Sequence, residues 1–315
     1  MLNTIEQLLG SDVPKVTIIL NCLNGEAFLA EALDSAIAQT FTDWELVLFD
    51  DLSTDGSPEL FKSYDEPRFR YVLAEKQLDL TAAREAAISH ARGQWLAFLD
   101  QDDIWLPDKL EQQLALLNTP DADRVGIIYG RTTRFGYIDE GRDFDFHYEG
   151  RALPESDVFD ELALVANFIP MSAALLRRAA YEEMGALPAN VRLCPDYYYW
   201  MSVSRRWKVR ALQDVCCHYR VRGSDFTSSN GIQVFTELLN VIEHFGEELE
   251  PSVLAKRRRS CHNLIATAEL GAGLPVKGLV RIFRQGSVFQ FIKRVPMYLF
   301  RVTRNFFTFR KSVSE

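Results

Sequence analysis

The sequence predicts an α/β protein: a Rossmann-like, mostly parallel sheet with flanking helices, followed by a small C-terminal helical extension. Three observations predict it. Short apolar runs alternate with segments of helical period over the first hundred residues, two of those runs end in carboxylates, and no strand pattern follows Gly231. At 315 residues, 47% of them hydrophobic, the chain can bury one large core and leave an appendage.

Val16 to Leu20 reads as a short buried strand and Asn21 to Glu26 as its loop. Phe28, Leu29, Ala32, Leu33, Ala36 and Ile37 then recur at helical spacing. Glu45 to Phe49 is a second strand ending in Asp50 and Asp51, and Asp51 to Ser57 is rich in turn formers and caps, with Asp51 eligible as a helix N-cap. A third strand is expected near Phe69 to Leu73, then a helix over Thr81 to Ala91 with Gly93 at its C-cap. Trp95 to Leu99 is an apolar run that stops at Asp100, Gln101, Asp102 and Asp103. Pro107 opens a helix with Leu110, Leu114 and Leu117 on one face. Val125 to Tyr129 and Ala173 to Leu176 are further strands, and Arg131 to Asp157 between them reads as a long irregular loop of the kind that forms lids or binding loops.

An acid cluster at the carboxyl end of a strand lies where open α/β sheets bind ligands. Three carboxylates within four residues repel by about 4 kcal/mol per close pair at an effective dielectric near 20, which a divalent cation relieves. A solvated polar turn accounts for the same residues equally well. No GxGxxG follows the first strand, so a dinucleotide cofactor is not indicated.

The net charge of -9 is unevenly divided: Lys277 to Glu315 carries nine cations against one acid, leaving the preceding residues at -17. The acidic body excludes a nucleic-acid surface there. The tail mixes its cations with Ile282, Phe283, Val288, Phe289, Phe291, Ile292, Leu299, Phe300, Phe306 and Phe307. Such a segment suits the interface of an anionic membrane, each cation contributing about 1 kcal/mol near the surface, or a helix packed on the acidic body. Five cysteines without CxxC spacing indicate neither a disulfide framework nor a zinc site, which fits a reducing cytoplasm. Met1 to Asp12 lacks the pattern of a secretory signal, and no run reaches about 18 apolar residues, so peripheral attachment is expected rather than a membrane span.

With these elements placed, the chain resembles the family 2 glycosyltransferases, a large inverting group with the A-type glycosyltransferase fold. The resemblance rests on residues 16–20, Asn24-Gly25-Glu26, residues 33–41, Trp44-Glu45-Leu46-Val47 and residues 50–57. Ala83-Arg84, Ala91-Arg92-Gly93, residues 98–103 and residues 105–110 continue it in order. It implies a catalytic domain over 1–230, with a nucleotide-sugar half to about 120 and an acceptor half to about 230, and a basic helical extension over 231–315.

The resemblance also implies roles. Asp51 meets the nucleotide base, Asp100 the ribose side, and Asp102 a Mn²⁺ or Mg²⁺ ion on the donor's diphosphate, while Asp103 supports the loop. Arg84 lies toward the donor, and Asn21, Asn24, Glu26 and Gln101 are further nucleotide-sugar contacts. In Cys194-Pro195-Asp196-Tyr197-Tyr198-Tyr199-Trp200, Asp196 holds the position of the general base, and a helix-capping Asp is the plainer reading. Trp200 and the tyrosines before it stack on a sugar or pack in the core. Residues 217–224 resemble a segment closing over the diphosphate, with His218 as a metal ligand or phosphate contact and Arg220 or Arg222 as a phosphate contact.

Three departures stand out. Asn21-Cys22-Leu23 replaces the usual Pro-Thr-Tyr, Glu85 and Ala86 replace Asn and Gly, and Pro195 replaces Glu. These departures bear on which nucleotide is bound, and the resemblance still implies a metal-dependent inverting transfer from a nucleotide-diphospho-sugar to a glycan or lipid-linked acceptor, of the bacterial surface-polysaccharide type. A nucleotidyltransferase and a non-catalytic nucleotide-sugar-binding scaffold are the rivals, and homo-oligomerisation stays open.

Overall fold

In the computed structural model, which describes residues 13–136, 148, 150–165, 167–222 and 231–285, eight strands form one sheet in the order β3-β2-β1-β4-β7-β6-β8-β5. Strands β1 (Val16–Cys22), β2 (Trp44–Asp50) and β4 (Trp95–Phe98) are buried on both faces, as a sheet with covering layers on either side requires. β3 (Phe69–Leu73) pairs parallel to β2, and β1 pairs parallel to both β2 and β4. The register sets Cys22 beside Asp50 and Ile19 beside Phe98, so β1, β2 and β4 end along one edge. The chain order reverses at β1, where an open sheet forms its ligand crevice.

β7 (Ala174–Arg177) runs antiparallel between β4 and β6 (Val125–Gly136). β8 (Lys208–Val221) runs parallel to β6 through three register shifts, and β5 (Ile104–Trp105) pairs with its far end, Ile104 opposite His218. The helices of this unit are α1 (Leu29–Ile37), α2 (Ser57–Lys62), α3 (Leu80–Ser89), α4 (Lys109–Ala115), α5 (Phe159–Val165), α6 (Arg178–Met184) and α7 (Pro195–Ser204).

Four sequence expectations need correction. Gly93 is not a C-cap, because α3 ends at Ser89 and His90 caps it. A Cβ on Gly93 would stand 2.4 Å from the Thr17 amide nitrogen, so the glycine is required by the close passage of the chain over β1. Pro107 precedes α4: its carbonyl accepts the Thr40 amide at 2.8 Å, and Asp108 is the cap. Asp51 does not cap α2, whose cap residue is Gly56. Arg131 to Gly136 is not loop but the continuation of β6, paired with β8; residues 137–147 and 149 of the predicted loop lie outside the described residues.

At the foot of the sheet, Glu45 is 3% exposed and gathers Thr17 Oγ1 (2.8 Å), the Arg92 amide and Nε (3.0 and 2.8 Å) and Arg70 Nη1 (3.2 Å). Arg92 holds its carboxyl below the ordinary range against the opposing effect of burial. Lys109, which the leucine pattern hid, is wholly buried, donates to Gln113 Oε1 (2.8 Å) and lies 4.1 Å over Trp105. Burial lowers its pKa to about 8. All five cysteines are free and buried.

The chain divides into two units, Met1–Gly223 and Ser224–Glu315. The second consists, in its described residues, of α8 (Gly231–His244), α9 (Pro251–Gly271) and α10 (Pro275–Gln285). Lys277 and Arg281 are spent on the buried Glu269 (3.6 and 2.9 Å), while Val276, Leu279 and Val280 are exposed. Residues 286–315 of the basic aromatic tail lie outside the described residues. Among the described residues no helix is long and apolar enough to cross a membrane.

Because the atoms facing Gly93 are main chain of β1, Gly93→Ala should destabilise the fold by roughly 1–3 kcal/mol. A thermal melt should show a Tm lowered by roughly 3–10 °C.

Candidate active site

The loops after β1 and β2 are laced together before they meet any ligand. Asn24, at φ 52°, accepts the Thr54 amide on Oδ1 at 2.8 Å, and its own amide donates to Ser53 Oγ at 3.0 Å. Glu26 Oε2 accepts the Gly56 amide at 2.9 Å, and the Gly25 amide donates to Ser57 Oγ at 2.9 Å. Gln101 brackets the Leu23 main chain, accepting from its amide (2.9 Å) and donating to its carbonyl (3.3 Å). Asn21 Nδ2 donates to Ala83 O at 2.9 Å and so fixes α3 one residue before Arg84. Asn21, Asn24, Glu26 and Gln101 thus tie the loops after β1, β2 and β4 to one another and to α3.

Asp51 is 5% exposed and accepts the Leu78 amide at 2.9 Å. Burial, with Asp50 and Asp79 nearby, pushes its pKa up. The next residue, Leu52, has φ 63°, a left-handed conformation that costs a branched side chain energy, and it is exposed at the crevice rim.

The β4 acids are separated by their partners. Asp100 accepts Arg84 Nη2 at 3.0 Å, with the arginine itself 6% exposed, and its amide donates to Ser172 Oγ at 3.1 Å. Asp102 Oδ2 meets Arg222 Nε at 2.8 Å; its pKa is raised by burial first and by Asp100 second. Asp103, 1% exposed, accepts the Arg220 amide at 2.9 Å on Oδ1, whereas Oδ2 is buried and meets no hydrogen-bond geometry among the described residues. Burial pushes its pKa well up.

Arg220 clasps the loop. Its Nε donates to Asp102 O (2.8 Å), Nη2 lies 3.0 Å from Glu31 Oε2, and the guanidinium sits 4.5 Å and 4.2 Å over Phe28 and Phe135. His218 faces Thr133, Nδ1 to Oγ1 at 2.6 Å. Gly223 and Ser224 of the same motif lie outside the described residues. Among the described residues no group of three His, Cys, Asp or Glu side chains converges as a metal centre.

Asp196 stands half-buried on the first turn of α7 and accepts Asn167 Nδ2 at 2.6 Å. Burial raises its pKa, with Arg84 and Asn167 opposing and Asp100 reinforcing. Arg84 and Asp100 therefore act on Asp196 as well as on one another. Tyr197, Tyr198, Tyr199 and Trp200 are all core, and Trp200 Nε1 donates to Ile169 O at 3.1 Å. Asn167 and Ser172 were missed from sequence, and neither lies in a run whose periodicity would have marked it.

A family model described as "Glycosyl transferase family 2" matches residues 17–185. The UDP-Glc:alpha-D-GlcNAc-diphosphoundecaprenol beta-1,3-glucosyltransferase WfgD of Escherichia coli is 23% identical over 237 residues, covering 75% of this chain and 87% of its own. Two solved structures share the fold. S. aureus TarS 1-349 in complex with UDP-GlcNAc gives a TM-score of 0.57 at 16% identity, over 90% of this chain and 78% of that one. The mannosyltransferase PcManGT from Pyrobaculum calidifontis, in complex with GDP-Man and Mn2+, gives 0.61 at 18%, over 95% and 91%.

Asp103 binds a proton more tightly when folded than when unfolded, so the stability it brings is present in acid and is lost as pH rises through its raised pKa. Asp103→Asn, which keeps an acceptor for the Arg220 amide, should gain on the wild type as pH rises above about 4, by at most about 1.4 kcal/mol per pH unit. Urea unfolding at pH 4.5 and 7.5 checks this; a difference constant with pH is the contrary result.

Proposed function

Because the chain belongs to glycosyl transferase family 2 and is a glycosyltransferase, we propose that it moves a sugar from a nucleoside-diphosphate sugar to an acceptor hydroxyl with inversion, assisted by Mn²⁺ or Mg²⁺. The observation that carries this reading is the Arg84–Asp100 pair, 3.0 Å apart just after β4, with Asp196 held by Asn167 on the first turn of α7. On this reading Asp100 serves the nucleotide side and Asp196 the acceptor side.

Asp102 fits a hard divalent cation, which takes one or two protein carboxylates when a diphosphate supplies further oxygens. Asp102 is nearly buried, and its partner at 2.8 Å is a guanidinium, a positive group at the place where the cation's charge would be useful. When bound, the metal would stabilise the negative charge that develops on the leaving diphosphate. His218, engaged with Thr133, supports a structural role more than a metal-ligating one.

Asp51 offers a carboxylate to the nucleotide base at the end of β2, with Leu23 and Leu52 as exposed apolar neighbours in place of the aromatic that is absent. Arg84 and Arg222 suit contacts to the donor's phosphates. Asp196 takes the proton of the acceptor hydroxyl at its carboxylate, and a pKa raised above the ordinary Asp value improves it as a base. Attack by that hydroxyl from the face opposite the diphosphate inverts the anomeric centre without a covalent sugar intermediate.

The name of WfgD supports a lipid-linked saccharide as acceptor and surface-polysaccharide assembly as the setting. The exposed Val276, Leu279 and Val280 of α10, followed by the basic aromatic sequence to Glu315, support peripheral attachment to an anionic membrane. Sedimentation with phosphatidylglycerol vesicles, and none with phosphatidylcholine vesicles, is the expected result; equal sedimentation with both, or with neither, rejects it.

A thermal-shift screen of UDP, GDP, dTDP and CDP with and without Mn²⁺ should give a metal-dependent shift with one nucleotide, worth roughly 2.7 kcal/mol at 100 times Kd. Asp102→Ala should abolish that metal dependence and donor turnover while the protein stays folded. Asp196→Asn should lower kcat at least about 10²-fold. The wild-type kcat should fall on acidification through the raised pKa of Asp196, because the base acts deprotonated; full turnover by Asp196→Asn sinks the assignment.

A further inference from the structure

Glu85 follows Arg84 on α3, and the two neighbouring side chains reach different partners. Arg84 goes to Asp100. Glu85 takes a phenol on each oxygen: Tyr199 OH donates to Oε1 at 2.5 Å and Tyr181 OH to Oε2 at 2.8 Å. Tyr199 is fully buried on α7, three residues after Asp196, and Tyr181 lies on α6 with its ring edge-on to Tyr199 at 5.9 Å. Burial and the Glu85 carboxylate push both phenol pKa values up, so both remain donors across any working pH.

We infer that Glu85 is a positioning residue for the general base: through Tyr199 it holds α7, and through Tyr181 the neighbouring α6, against the helix that carries Arg84. The inference rests on the assignment of Asp196 as that base. α7 is tied elsewhere by Tyr197 OH to Leu162 O (3.0 Å), Trp200 Nε1 to Ile169 O (3.1 Å) and Asn167 to Asp196 (2.6 Å). Those ties run to α5 and to the segment after it. The Glu85 tie runs instead to the helix whose preceding residue pairs with Asp100, so it sets Asp196 relative to the donor-side acids.

Helical geometry makes the setting exacting. A side-chain carboxylate stands roughly 5–6 Å from the helix axis, so a rotation of α7 by about 10° displaces it by about 1 Å. A misplacement of that size is enough to cost on the order of 10²-fold in rate. Glu85 does not touch the reacting atoms; it acts through the helix that does.

The experiment measures nucleotide release by the full chain from a panel of UDP-, GDP-, dTDP- and CDP-sugars with Mn²⁺, with kcat, donor KM and the pH profile of kcat for each variant. Glu85→Ala should lower kcat roughly ten- to a hundredfold and shift the acid limb of the kcat profile. It should leave donor KM and the nucleotide-induced thermal shift within about threefold of wild type. Glu85→Gln, which keeps an acceptor for one phenol, should recover most of the loss. If Glu85→Ala does not fold, Tyr199→Phe carries the test with the same split between kcat and KM. Wild-type kcat and pH profile in Glu85→Ala and Tyr199→Phe, with Asp196→Asn inactive, overturn this inference and leave the base assignment standing. An active Asp196→Asn, or a wild type that turns over none of the panel, removes the base reading and this inference with it.

Discussion

The site depends on keeping three carboxylates close together, and on the donors and cations that make this tolerable. Asp100 has Arg84, Asp102 has Arg222, and Asp103 has the main-chain amide of Arg220. Each partner comes from a different place: Arg84 from α3, Arg222 from just beyond β8, and the amide from β8 itself. The charge that the loop after β4 needs is supplied by helix α3 and by a strand more than a hundred residues later. Electrostatic compensation therefore also joins the early and late parts of the first unit.

That joining explains why several polar residues are spent on structure. Asn21 fixes α3 under Arg84, Gln101 ties the loop after β4 to the loop after β1, and Asn24 and Glu26 bind the loop after β2. Most of these bonds are exposed, so each returns little net free energy, but together they hold three loops in one arrangement. Leu23, Leu52 and Asp100 stay partly exposed beside these cross-links.

The sequence was most legible where burial and periodicity act locally. β1, β2 and β4 appear as apolar runs because both their faces are covered, and the acids that end two of them stand out by contrast. β8 was hidden because Arg210, Gln213 and Asp214 interrupt any alternation; Arg210 is held by Asp121 at 2.8 Å, a partner from before β6. α7 was hard to read because its buried face is aromatic almost all round, and α5 and α6 because they are seven-residue helices in a region without strong caps. Lys109 could not be told from a surface lysine, since its burial over Trp105 is set by where β5 and β8 pass.

The sequence by itself determined the alternating α/β order, the acid-terminated strands, the divided charge and the family to which the chain belongs, because each is carried by residues adjacent in the chain or by short periodic patterns. Only the tertiary structure decided that Arg84 pairs with Asp100, that Glu85 receives Tyr181 and Tyr199, and that Gly93 is required by the backbone of β1. Those relations join residues separated by 16 to 114 positions. No local propensity encodes such a pairing; it exists only when the sheet order has brought the elements together.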